Sequence, residues 1–218
     1  MDKAFWHERW ENNQIGFHQQ ETNSHLQRFW GKLELPAGCP VFVPLCGKSR
    51  DMLWLREQGH PVLGIEISPR AVTDFFTENG LQAEVTELRD GLQRWAFDDL
   101  EILCGDLFAL QPDDVSRCRG IYDRASLIAL PPAMRPDYAV KMNQLFAEPR
   151  PTLLVTMEYP QDQMKGPPFS VEETEVQRYY GERYQVQDIL KLDILEENPR
   201  FRERGLSHLY ERVYLLQP

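Results

Sequence analysis

No apolar run in this sequence approaches the roughly 18 residues needed to cross a bilayer, so no membrane segment is expected. Basic residues are outnumbered, 24 Lys and Arg against 34 Asp and Glu, giving a formal charge of −10. That balance disfavours a nucleic-acid backbone as partner. Cysteine is sparse, and Cys39, Cys46, Cys104 and Cys118 show no C-x-x-C spacing. The five histidines form no H-x-x-x-H pair either. Lacking both patterns, the chain is expected to bind no metal and to keep its thiols reduced. The start, Met1 to His7, lacks the charged-then-apolar layout of a signal peptide, so a cytoplasmic protein is expected. No repeat, low-complexity tract or interdomain linker interrupts the 218 residues, which suit one domain spanning 1–218.

What the sequence does have is a concentrated signal between Val41 and Glu66. Val41-Phe42-Val43 is a short apolar run of the type found in strands buried on both faces. Pro44-Leu45-Cys46-Gly47 breaks it, and Ser49 is placed to cap a helix carrying Met52, Leu53 and Leu55. Gly59 ends that helix, and Val62-Leu63-Gly64-Ile65 forms a second strand closed by Glu66. In nucleotide-binding βαβ units, an acid about 20 residues past the glycine turn accepts hydrogen bonds from ribose hydroxyls. Here the spacing from Gly47 to Glu66 is 19 residues (66 − 47).

The turn has only one of the three glycines of a dinucleotide fingerprint, which disfavours close approach by a pyrophosphate. Gly47-Lys48-Ser49 mimics the end of a phosphate-binding P-loop, but that motif needs glycine at position 42, where Phe42 stands. A nucleoside without phosphate remains, which points to S-adenosyl-L-methionine. A nicotinamide-dependent oxidoreductase and a noncatalytic adenosyl-binding protein are the alternatives, the first opposed by the missing glycines.

Pro-Leu-Cys-Gly-Lys at 44–48, Gly-Ile-Glu-Ile-Ser at 64–68, Asp-Arg at 123–124 and Gly-Pro-Pro-Phe at 166–169 resemble the thiopurine S-methyltransferase family, in its shorter, bacterial form. The resemblance runs from Trp6-His7-Glu8-Arg9-Trp10 to Tyr214-Leu215-Leu216. It implies a single-domain, Rossmann-like α/β class I methyltransferase with a seven-stranded, mostly parallel sheet flanked by helices. It also implies methyl transfer from S-adenosylmethionine to the sulfur of a thiopurine or other small aromatic thiol, and extension to selenium or tellurium species. Trp10, Leu45, Gly47, Glu66, Asp106 and Arg124 match cofactor-contacting positions. Phe17, Arg124 and Pro168 match positions at the acceptor, and Arg124 and Arg200 are the candidate catalytic residues. Register near Arg200 could slip onto Arg202 or Arg204. The N-terminal segment 1–35 would cover the site, and a monomer is expected.

The residues alone leave several of these assignments open. Trp6 and Trp10 share a helix face at i, i+4 spacing, which suits core packing as well as a cover over a sulfonium. Asp106 follows the strand Leu100–Cys104 and reads equally as a loop cap. Arg124 follows the strand Gly120–Tyr122, and Asp123 reads as a buttress. Asn23, Ser68-Pro69 and Ser170 read as helix starts. Residues 83–97 read as a small hairpin inserted before the third sheet strand. The Pro- and Gly-rich stretch from Tyr159 to Phe169 reads as a lid, and 198–204 as a solvated turn between two closing strands.

Overall fold

The computed structural model describes residues 3–218, so Met1 and Asp2, where the signal-peptide reading and the covering segment begin, lie outside the described residues. The fold comprises two compact units, one ending at Tyr122 and the other starting at Asp123. In the first unit the strands run in the order β3-β4-β5-β2-β1-β6. Their bounds are β1 (Val41–Val43), β2 (Val62–Glu66), β3 (Glu84–Arg89), β4 (Leu92–Phe97), β5 (Leu100–Gly105) and β6 (Gly120–Arg124), the last crossing the boundary. The pairs β1–β2, β1–β6 and β2–β5 are parallel. Their residues are almost entirely buried, as continuous apolar runs predict for strands covered on both faces. Burying side chains such as Leu63 and Ile65 contributes roughly 1.5–3 kcal/mol each.

Among the described residues there are nine strands, not the expected seven, and the sheet is mixed rather than mostly parallel. The hairpin accounts for the extra two. Instead of standing apart, β4 pairs antiparallel with β5 from Leu92↔Gly105 to Phe97↔Leu100, and β3 pairs antiparallel with β4. A tight connection through Asp98 and Asp99 folds β4 back onto its successor, and the stacking of Trp95 on Phe76 fastens it.

Helix α1 (Lys3–Glu11) and helix α2 (Ser24–Phe29) precede β1. Asn23 caps α2 as expected, accepting from the His25 and Leu26 N–H groups. Helix α3 (Asp51–Glu57) begins later than expected; Ser49 Oγ accepts from the Asp51 N–H but is not the cap residue. Helix α4 (Pro69–Glu78) starts where the sequence indicates, with Ser68 Oγ accepting from the Ala71 N–H and Pro69 in the first turn. Helix α5 (Pro112–Val115) is a short turn of helix after β5.

In the second unit, β7 (Thr152–Glu158), β8 (Gln185–Asp193) and β9 (Tyr210–Gln217) form the antiparallel order β7-β9-β8. Helices α6 (Ser126–Ala129), α7 (Arg135–Leu145) and α8 (Glu173–Tyr180) accompany them. Ser170 does not cap α8, whose cap residue is Glu172; its hydroxyl accepts from the Tyr159 N–H instead. Residues 198–204 are no solvated turn. Pro199–Glu203 is a short helix, α9, because Phe201 inserts among Tyr159, Met164, Ile194, Leu195, Leu206 and Leu209. Arg212, buried on β9, is held by Glu158 at 2.5 Å, Glu173 at 2.7 Å and Asp188.

Candidate cofactor and acceptor site

The turn after β1 and the acid ending β2 are joined directly. Glu66 Oε2 accepts from the Gly47 N–H at 2.9 Å and Oε1 from the Ser68 N–H at 2.8 Å. One carboxylate thus fixes both the turn and the start of α4. Leu45 (φ 44°) and Gly47 (φ 53°) both lie in the left-handed region. For a leucine that conformation costs about 1–2 kcal/mol, which the surrounding bonds must hold in place. The Cys46 N–H donates to the Ile65 carbonyl, and a β-carbon at Gly64 would meet Cys46 Sγ at 2.7 Å, so only glycine lets the turn lie on β2.

Burial pushes the Glu66 carboxyl from 4.5 up to about 7, with the Ser68 and Gly47 N–H groups opposing. Burial likewise raises Asp123 from 3.8 to about 6, with the Tyr138 hydroxyl opposing. A carboxyl whose folded pKa is raised binds more protons folded than unfolded between the two values. Its contribution is therefore most favourable at acid pH and is lost as pH rises through about 6 to 7. Each shift corresponds to about 3 kcal/mol. The ligand-free protein is expected to show a higher denaturant midpoint at pH 5.5 than at pH 7.5, and Glu66→Gln to flatten much of that dependence. A midpoint that is level or rises with pH across this window would contradict the buried-acid account.

Aromatic rings cover the turn within the first unit. Trp10, 5% exposed, lies so close that a β-carbon at Gly47 would stand 3.2 Å from its Cζ2. Phe17 meets Trp10 edge-on at 5.5 Å and Trp6 at 5.7 Å, yet remains 44% exposed. Trp10 of α1 therefore stands over the Gly47 turn, and Phe17 presents an open ring beside it.

Asp106 sits at the end of β5. Its Oδ1 accepts from the Phe108 N–H at 3.0 Å and its Oδ2 pairs with Lys3 at 2.6 Å, so the side chain caps the following turn and ties down α1. Lys48 is turned away from phosphate chemistry, its ammonium buried against Glu78 at 2.7 Å. Asp51, given no role by its sequence context, is 1% exposed; it accepts from the Asn23 N–H and the Tyr122 hydroxyl. Its partners lie 28 and 71 residues away, beyond any local pattern. An acid in the first turn of α3 was the only available hint.

Within the second unit, Arg124 is half-buried at the end of β6, and Ala125 follows in the left-handed region at φ 68°. Asp123 is the expected buttress, its Oδ2 accepting from the Tyr138 hydroxyl at 2.7 Å. Pro168 is part-buried, and its carbonyl accepts from the Tyr159 hydroxyl at 2.6 Å. Arg200 is exposed on α9 with its guanidinium over the Phe201 ring; Arg202 pairs with Glu196, and Arg204 reaches Met164 Sδ. The geometry brings Trp10, Phe17, Leu45, Gly47 and Glu66 together around one turn.

A ligand with a vicinal diol suits this donor set. Gly47 and Ser68 satisfy one acceptor position on each Glu66 oxygen, and a carboxylate oxygen offers two. The family model for thiopurine S-methyltransferase matches residues 1–218. A thiopurine S-methyltransferase of Pseudomonas entomophila is 50% identical over 216 residues, covering 99% of both chains. One of Methylococcus capsulatus is 49% identical over 217 residues, covering 100% of this chain and 98% of its own. The solved 1,6-didemethyltoxoflavin-N1-methyltransferase of Burkholderia thailandensis, with bound S-adenosylhomocysteine, superposes with a TM-score of 0.61 at 13% identity, covering 99% of this chain and 87% of its own. That likeness shows a class I methyltransferase α/β fold.

Proposed function

The chain belongs to the thiopurine S-methyltransferase family, and from that premise we propose that its Gly47–Glu66 site holds S-adenosyl-L-methionine for methyl transfer to a thiopurine or another small aromatic thiol. It is an S-adenosylmethionine-dependent S-methyltransferase. One observation carries the site assignment: a buried carboxylate that orders the glycine turn while keeping acceptor positions for a ribose diol.

When bound, S-adenosylmethionine supplies a methyl carbon made electrophilic by its sulfonium. Trp10, Leu45, Gly47, Glu66, Asp106 and Arg124 are the residues proposed to hold it. Glu66 orients the ribose. The Trp10 ring shields the sulfonium from water and attracts it through the aromatic face. Phe17, Arg124 and Pro168 are proposed to flank the acceptor, where a flat ring stacks on a flat substrate. Arg124, with Arg200, favours the thiolate form; the thiol proton leaves to water, because a guanidinium with pKa above about 12 is no base. Aligning nucleophile and methyl in a dry site is the protein's main contribution.

On this reading the chain is one domain over 1–218 whose first 35 residues cover the site. It works as a cytoplasmic monomer without nucleic-acid or membrane partners, and selenium and tellurium species are further acceptors. No helix among the described residues is long and apolar enough to cross a membrane.

Incubation with S-adenosylmethionine and a thiopurine is expected to release S-adenosylhomocysteine and the S-methyl product together. Binding of NADH in place of S-adenosylhomocysteine would instead favour an oxidoreductase. Uptake of S-adenosylhomocysteine with no turnover across a panel of thiols would leave a noncatalytic binder. Because the diol favours the Glu66 carboxylate, S-adenosylhomocysteine affinity should fall as pH drops below about 7, opposite to the stability trend.

A further inference from the structure

The stretch from Tyr159 to Phe169 reads as a lid in the sequence, yet its two ends are sealed. The Gln161 side chain, although exposed, makes three bonds across the neck. Its Nε2 donates to the Tyr159 hydroxyl at 3.2 Å and the Met164 carbonyl at 2.6 Å, and its Oε1 accepts from the Ser170 N–H at 2.9 Å. The Tyr159 N–H donates to Ser170 Oγ at 2.9 Å, and the Val171 N–H to the Met157 carbonyl at 2.8 Å. Such closed ends define a compact, self-packed loop.

The loop is also fastened from behind. The Phe169 N–H donates to the Ile128 carbonyl on α6 at 2.7 Å. Arg135, 1% exposed at the start of α7, donates through Nε to the Leu127 and Leu130 carbonyls, both at 3.0 Å. Its Nη1 donates to the Ser170 carbonyl at 2.9 Å and to Glu175 at 2.7 Å. One rigid guanidinium therefore ties the segment following Arg124 to the end of the proline loop. A lysine, with a single mobile ammonium, has no fork with which to reproduce this.

We infer that Arg135 and Gln161 are positioning residues that hold residues 160–169 as a preformed wall of the acceptor pocket rather than a lid that closes over it. The inference rests on the reading above that Pro168 flanks the acceptor. Neither residue touches a reacting atom. Both act through the backbone of the loop, and a wall displaced by a fraction of an ångström misaligns the nucleophile.

Hydrogen exchange and kinetics test this together. In the ligand-free wild type, the amides of Phe169, Ser170 and Val171 are expected to be protected, and in Gln161→Ala to exchange much faster. Gln161→Ala is a surface change that keeps the fold, and should lower kcat/KM for the thiol about tenfold, mainly through acceptor KM. S-adenosylhomocysteine affinity should stay within about twofold of wild type by calorimetry, because the cofactor site is untouched. Arg135→Lys should act in the same direction and more strongly. Unprotected loop amides in the wild type, or a Gln161→Ala enzyme with lower Tm but unaltered acceptor KM, would overturn the inference. Failure of the wild type to methylate any thiol sinks the S-methyltransferase reading instead, and the exchange data still decide whether the loop is preformed.

Discussion

Alanine at Glu66 is expected to weaken S-adenosylhomocysteine binding by roughly a thousandfold while the protein stays folded. Two hydrogen bonds from a ribose to a carboxylate contribute about 1.5–3 kcal/mol each, and losing both costs about 4 kcal/mol of affinity. Stability responds differently. The rise from 4.5 to about 7 is burial net of the opposing backbone N–H bonds, and corresponds to about 3 kcal/mol near neutral pH. Removing the carboxylate relieves its burial and forfeits the bonds from the Gly47 and Ser68 N–H groups, so the two effects offset. Calorimetry with S-adenosylhomocysteine and thermal denaturation of the same sample separate the two. An affinity within tenfold of wild type in a folded Glu66→Ala protein would remove Glu66 from the ribose site.

The contact between Gly47 and Glu66 was legible because its logic is local. A glycine turn, a helix of fixed length and a strand place Glu66 beside Gly47 whatever the rest of the chain does, and Ser68-Pro69 sets the start of α4 by the same short-range rules. Features built on distant partners were not legible. Asp51 is defined by Tyr122, 71 residues on, and Arg135 by Ser170 and Glu175, 35 and 40 residues on. Nothing around either marks it as buried. The hairpin itself was legible, but not its place in the sheet. Residues 84–89 form an exposed edge strand whose pattern carries no core face, so nothing in it indicated that β4 would extend the sheet. At 198–204 the charged residues outweighed Phe201 in the pattern, although that one side chain, inserted into an apolar cluster, determines the helix.

Alanine at Arg124 is expected to lower kcat with a thiopurine about a hundredfold, a larger loss than any change in S-adenosylhomocysteine affinity. Arg124 stands at the end of β6, with Asp123 behind it fixed by Tyr138 and Ala125 ahead of it in a left-handed turn, so its backbone has little freedom. A fixed cation beside the acceptor sulfur favours the thiolate over the thiol, and removing one such preorganised charge typically costs 10²–10³ in rate. The pH profile distinguishes this from simple misfolding. The midpoint in kcat/KM reports the free thiol and should not move. The midpoint in kcat reports the bound thiol, which Arg124 is proposed to hold below its free value, so it should rise in Arg124→Ala. Arg124→Lys keeps the charge and should recover part of the rate, less than fully because a single ammonium lacks the fork. Wild-type kcat in Arg124→Ala, or an unshifted kcat midpoint, would leave the thiolate stabilised by something other than this arginine.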